Sequence, residues 1–305
     1  MSTFKETLEY AAVAALLRLV PPLPHAAATA AARTLGSAAY HLGVRRAVTL
    51  DNLAHAFPER SQVERKRIAL GAYRNYATTI TELLWSSGKS AETLGELIRF
   101  HDRTPFDRLL AKGKGLVLLS AHFGGWELIL AGIMPKLGHP VAAIVQRQRN
   151  GKIDAMLNEL RCRFGNSTIA MGPSSRRAVE VLKGGGVLLG LGDQSGPKEA
   201  AFVPFFGRPA ATHRGMAAFA LRYGAPLLMM VIRRAADGCY DVFMEEVDRS
   251  GLQGAGEQEV VELTRRHTAL LERYVRETPD QWLWMHKRWK HTAYYLARQQ
   301  SADGP

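Results

Sequence analysis

From Gly115 onward the chain alternates two textures. Short, largely apolar runs recur at Leu116–Ser120, Val141–Val145, Ser167–Ala170, Gly186–Leu191, Pro226–Ile232 and Tyr240–Glu245. Runs of this length between turn residues predict strands, and the continuous ones, such as LVLLS after Gly115, predict strands buried on both faces. Between them lie helical patterns at Glu127–Leu137, Ile153–Phe164, Ser174–Lys183 and Gly215–Tyr223, with a charge-rich one at Glu257–Glu277. This alternation predicts a single α/β domain with a largely parallel central sheet flanked by helices.

Upstream the pattern is helical. Residues Val44 to Trp85 are heavily charged, and Ser61 with Glu64 forms a capping box that starts a helix near Gln62. A second helical stretch runs from Ser90 to Leu110. Residues 4–20 mix apolar runs with Lys5, Glu6, Glu9 and Arg18, and the longest uncharged stretch, Tyr10 to Leu17, is far short of the roughly 20 apolar residues of a spanning helix. Pro21, Pro22 and Pro24 stop that helix, and an alanine-rich stretch follows from His25 to Leu42. Glu6 and Glu9 argue against a cleaved signal peptide. The segment fits either two core helices or helices lying in a bilayer interface.

Composition removes several classes. With 47% hydrophobic and 22% charged residues, the 305-residue chain is an ordinary globular one, and no 20–50-residue period repeats. Two cysteines, Cys162 and Cys239, cannot build a cysteine zinc site or a disulfide framework. A formal charge of +12 favours anionic partners: acidic lipid, an acidic protein or nucleic acid.

The chemistry-bearing stretch is Ser120-Ala121-His122-Phe123-Gly124-Gly125-Trp126-Glu127, between a predicted strand and a predicted helix. Carboxyl ends of strands are where open α/β sheets gather ligands. A neutral imidazole can take an alcohol proton while a carboxylate holds its other N–H. His122 and Glu127 are therefore the candidate pair, with donors at the helix start near Trp126 for an oxyanion. The H-x4-E spacing alone is weak, since His267 and Glu272 repeat it inside a charged helix, where residues five apart do not face each other. A second block, Gly192-Asp193-Gln194-Ser195, ends the strand GVLLGL, and its acid is either a ligand group or a loop cap. Phe202–Pro209 is an aromatic loop too proline-rich for a central strand, and Thr212 is placed to cap the next helix. Trp282, Trp284 and Trp289 interleave with Lys287, Arg288 and Lys290, which suits a membrane interface or base stacking. No motif requires a metal or cofactor, and no recognised nucleic-acid motif is present.

At AHFGGWE the chain resembles the bacterial lipid A biosynthesis acyltransferases, the lauroyl and myristoyl transferases within the lysophospholipid acyltransferase-like superfamily. The resemblance runs in order through Asn52-Leu53, Ala56-Phe57-Pro58-Glu59, Arg149-Asn150-Gly151, Leu160–Gly165, Gly192-Asp193-Gln194, Val203–Thr212 and Pro279–Trp289, over about residues 45–290. It implies transfer of a fatty acyl chain from acyl carrier protein or a coenzyme A thioester to a hydroxyl of a membrane glycolipid such as a lipid A precursor. It implies His122 as general base and Glu127 as its orienting partner, with Arg161, Asp193, Gln194 and Arg288 at the substrate site. Gln146-Arg147 stands where the family often has Arg-Pro, so Arg147 is the candidate replacement there. An acceptor such as a phosphatidylinositol mannoside, or a silent glycolipid-binding role, remains an alternative within the same superfamily. The resulting expectation is a membrane-associating helical segment over 1–44, an acyltransferase domain over 45–295 and a polar tail over 296–305. The protein would act on the cytoplasmic face of the inner membrane, against an anionic surface, and without nucleic acid.

Overall fold

A computed structural model describes residues 3–172 and 175–302. Four helices come first: α1 (Phe4–Leu19), α2 (His25–His41), α3 (Arg46–Ala56) and α4 (Gln62–Ser86). Ser61 and Glu64 cap α4 reciprocally, as the sequence predicts. Helix α2 lies close against α4 because Gly36 has no side chain. A Cβ there would sit 2.5 Å from the Tyr73 carbonyl oxygen.

The stretch expected to be helical from Ser90 to Leu110 is instead broken. Helices α5 (Ala91–Glu96) and α6 (Thr104–Leu110) flank a three-residue strand, β1 (Ile98–Phe100). Strand β2 (Leu116–Ser120) follows, then α7 (Met134–Leu137), β3 (Val141–Val145), α8 (Gly151–Cys162), β4 (Ser167–Ala170), α9 (Ser175–Lys183) and β5 (Val187–Leu191). After these come β6 (Ala201–Phe205), β7 (Arg208–Thr212), α10 (Gly215–Arg222), β8 (Leu227–Arg234), β9 (Tyr240–Glu246), α11 (Glu257–Glu277) and α12 (Thr292–Ala302). Ser174, the first residue of one expected helix, lies outside the described residues, and α12 runs through most of the expected polar tail.

Seven strands form the central sheet in the order β1-β9-β8-β2-β5-β3-β4. All neighbours are parallel except the β8–β9 hairpin. Every residue of β2 is buried, as expected of a central strand covered on both faces. Two large apolar clusters, one on each face, carry the core: Val117, Leu119 and Leu188 belong to one, Leu116, Leu118 and Leu189 to the other.

The proline-rich stretch expected as a loop is a separate antiparallel hairpin, β6–β7. Its two turn residues, Phe206 and Gly207, both have positive φ (51° and 71°), the requirement of a type I′ turn. Phe206 is held there by its N–H bond to Glu272 and by rings of Phe57 and Trp284. Thr212 ends β7 and does not cap α10, whose N-cap position is Arg214. Among the described residues no helix is long and apolar enough to cross a membrane.

Candidate active site

The site follows from strand register. Strands β2 and β5 are parallel neighbours with Ser120 opposite Leu191, and the Gly192 N–H donates to Ser120 O at 3.1 Å. The loops that leave their carboxyl ends therefore run side by side, which sets His122 next to Asp193. His122 Nδ1 lies 2.8 Å from Asp193 Oδ1, and the His122 backbone N–H donates to Oδ2 at 2.9 Å. The Trp282 indole N–H also donates to Oδ2, at 2.9 Å. An ionised carboxylate only accepts, so Nδ1 carries the proton and Nε2 is left as the basic nitrogen of the neutral ring. That nitrogen lies 3.3 Å from the Gln194 amide nitrogen, and the His122 side chain keeps 20% of its exposure.

Three other elements hold the loop. The C-terminal segment pairs with it through Gly124 N–H to Gln281 O (2.9 Å) and Leu283 N–H to His122 O (3.1 Å). From α4, Thr79 Oγ1 and Asn75 Nδ2 both donate to the Gly124 carbonyl, at 2.6 and 3.3 Å. Gly124 must be glycine, since its φ is 55° and a Cβ would lie 1.7 Å from the Ile232 carbonyl oxygen. The Trp126 ring meets the imidazole edge-on at 5.4 Å. On the far side, Ser195 N–H donates to His286 Nε2 at 2.9 Å, which ties down the residue after Gln194.

Burial disfavours the imidazolium of His122, but the Asp193 charge, its hydrogen bond and the nearby Glu127 charge outweigh burial and raise the pKa above its ordinary value. Burial likewise acts to raise Asp193, and His122, the two N–H donors and Trp282 overcome it, so that carboxyl sits below its usual range. The pair is therefore an ionised buried acid beside a base whose affinity for a proton it raises. This is the arrangement that takes a proton from an alcohol and stabilises the cation formed.

The chain matches the family model described as bacterial lipid A biosynthesis acyltransferase over residues 2–291. The chain belongs to that family. It is similar to the lipid A biosynthesis palmitoleoyltransferase of Escherichia coli (strain K12), 24% identical over 254 residues covering 81% of this chain and 79% of that protein. It is also similar to the lipid A biosynthesis myristoyltransferase of the same organism, 24% identical over 262 residues, covering 83% and 78%. A third relative, lipid A biosynthesis acyltransferase 1 of Shigella flexneri, is 27% identical over 181 residues, or 58% and 55% of the two chains.

Within this member of the family the sequence-predicted residues separate into groups. His122, Asp193 and Gln194 meet. The carboxylate that meets Nδ1 is that of Asp193, and Glu127 lies elsewhere. The Glu127 carboxylate instead pairs with Arg161, Oε1 to Nη2 at 3.5 Å, and acts on His122 only through its charge. The helix expected from Glu127 starts late: Glu127 lies in a turn, and a five-residue π-helix, Ile129–Ile133, leads into α7. The partner of Glu127, Arg161, lies in the last turn of α8. Arg147 is exposed and lines a polar groove with Asp154, Asn158 and Arg177. Arg288 is buried, with its terminal nitrogens bonded to Ala211 O (2.7 Å) and Thr212 Oγ1 (2.6 Å). Burial pulls its pKa down to about 10 although Asp193 opposes this.

Sequence reasoning missed Trp282, His286, Asn75 and Thr79. The tryptophan block was the available signal, but its alternation with basic residues pointed outward to a membrane or to bases. Trp282 and Trp284 are instead buried, at 2% and 0% exposure, stacked edge-on against each other and around Phe205 and Phe206. Beside the His122 loop, an apolar cavity of about 210 Å³ opens at the ends of β3, β4 and β5. Ile144, Ile169, Leu191, Met216 and Phe219 line it, and Gly192, the neighbour of Asp193, forms part of its wall. Among the described residues no cluster of His, Cys, Asp and Glu could hold a metal ion.

Proposed function

We propose that this chain transfers a fatty acyl group from an acyl thioester, carried by acyl carrier protein or coenzyme A, to a hydroxyl of a lipid A precursor. His122 Nε2 removes the hydroxyl proton as its oxygen attacks the thioester carbonyl carbon. Asp193, bonded to Nδ1, orients the ring and balances the imidazolium. Collapse of the tetrahedral intermediate expels the thiolate, which takes the proton back from His122 and leaves as the thiol. The observation that carries this reading is the 2.8 Å contact between His122 Nδ1 and the buried Asp193 carboxylate, in a chain of an acyltransferase family. The apolar cavity beside Gly192 suits the acyl chain, since each buried CH₂ contributes about 0.8 kcal/mol.

The N-terminal layer supports work at a membrane surface. Helix α1 buries no side chain, and Phe4, Leu8, Leu16 and Leu19 are exposed on it, with Leu23, Leu35, Leu42 and Val44 exposed nearby. These side chains, beside a chain charge of +12, suit the cytoplasmic leaflet of the inner membrane and its anionic lipids.

The test is an assay of purified protein with labelled acyl thioesters and a tetra-acylated lipid A precursor. A new acyl-lipid that disappears in both His122→Ala and Asp193→Asn supports the reading. Absence of product from folded wild-type protein with every thioester and lipid A acceptor overturns it.

A further inference from the structure

We propose that Gln194 is a catalytic residue, the side-chain donor that stabilises the oxyanion. The inference rests on the acyl-transfer reading above and adds a role that reading does not contain. Oxyanion stabilisation was expected from a helix start after Gly125, but that segment is a turn leading into a short π-helix. A side-chain donor faces the reacting nitrogen from the opposite loop. Gln194 Nε2 is 3.3 Å from His122 Nε2.

The amide orientation follows from the dyad. Asp193 fixes the proton on Nδ1, so Nε2 offers a lone pair and the group facing it must donate. The residues on both sides of Gln194 are anchored: the Asp193 carboxylate accepts from His122 and Trp282, and the Ser195 backbone donates to His286 and bridges to Thr212. The amide is thus presented from a loop whose neighbours are held at both ends. Burial keeps the His286 pKa down at about 4, so His286 stays neutral and able to accept from Ser195 throughout the neutral range.

In the reaction the acceptor hydroxyl must donate to the same Nε2, and it displaces the amide from that nitrogen. The displaced NH₂ remains next to the attacking oxygen, within reach of the carbonyl oxygen on the same carbon that this oxygen attacks. As the C–O bond forms, the thioester π pair moves onto that oxygen and the hydroxyl proton passes to Nε2. Nε2 becomes a donor and can no longer accept from Gln194. The amide's free donor and the new negative oxygen appear in the same step, so its hydrogen bond strengthens in the transition state and not in the ground state.

Loss of one oxyanion donor costs about 10²–10³ in kcat. Gln194→Ala is expected to lose that much in kcat with KM for thioester and acceptor nearly unchanged. An acyl phosphonate mimic of the tetrahedral intermediate should lose affinity by a similar factor, which a merely structural role for Gln194 would not produce. Gln194→Glu, which puts a negative charge beside the oxyanion, should be slower still. Wild-type kcat in Gln194→Ala overturns the inference while leaving the general acyl-transfer reading in place. So does faster turnover, which would make Gln194 a latch on Nε2. A rise in KM with kcat intact would make it a substrate-binding group only. A folded wild-type protein without activity overturns both readings.

Discussion

Two histidines in this chain stand five residues before a glutamate, and neither hydrogen-bonds to it. His122 lies in a loop, bonded to the carboxylate of Asp193, 71 residues away in sequence. His267 lies on α11, 2% exposed, with no hydrogen-bond partner for its Nε2 among the described residues, while Glu272 accepts from Phe206 N–H and pairs with Arg276. Burial acts against the charged form of both rings. At His122 the Asp193 charge wins and the pKa rises. At His267 burial goes unopposed, Arg288 adds to it, and the pKa falls to about 3. The same motif spacing thus occurs at a ring whose pKa is raised and at one whose pKa is lowered. The difference is a buried acid supplied by another strand.

The sharpest way to break the comparison is to remove each ring. His122→Ala is expected to lower kcat by at least 10²–10⁴ with melting close to wild type. His267→Leu should leave turnover within a few-fold. Equal losses in the two variants would erase the distinction. Asp193→Asn comes next: it keeps the shape but removes the charge, and a loss on the order of 10³–10⁴ in kcat is expected, as for an acid that fixes the tautomer of a catalytic histidine. Glu127→Gln sharpens the assignment of the acid, because its charge is the smallest of the influences that raise His122. Its pH–rate profile should keep an acid limb close to that of wild type, with the change falling on interactions of Arg161.

The remaining effect is one on stability and leaves turnover aside. A group held neutral with a pKa of about 3 contributes fully above its unfolded value of about 6.5, and that contribution is lost as pH falls toward 3. Acid titration of wild type should therefore show a loss of about 1.4 kcal/mol per pH unit below about 6 from this one ring. His267→Leu should flatten that slope, which denaturant unfolding at pH 7 and pH 5 measures directly.

Much of this was legible along the chain. Strand β2 was readable because LVLLS is apolar where a doubly covered strand must be, and α4 because Ser61 and Glu64 cap it. The strand β1 was not, since three residues hold too little pattern to interrupt a helical reading. The hairpin β6–β7 was hidden by its prolines at positions 204 and 209, which face each other on a sheet of only two strands. In the site, His122 stood out from the glycines around it. Its acid did not, because the pairing comes from the Ser120–Leu191 register, a contact between strands far apart in sequence. Asp193 was visible as an acid at a strand end and, through the resemblance, as a substrate-site residue, but not as the carboxylate that meets the ring; Glu127 was the nearer acid in sequence.

The central claim is that Asp193, and not Glu127, sets the basicity of His122. The pH dependence of kcat/KM for wild type, Asp193→Asn and Glu127→Gln tests it most directly, since the acid limb reports the base of the free enzyme. The account predicts activity that rises with pH through a midpoint above about 6.5 in wild type and remains near there in Glu127→Gln. In Asp193→Asn, burial then acts unopposed by that carboxylate, and the midpoint of the residual activity should move to lower pH. A midpoint that drops in Glu127→Gln and stays in place in Asp193→Asn would contradict it.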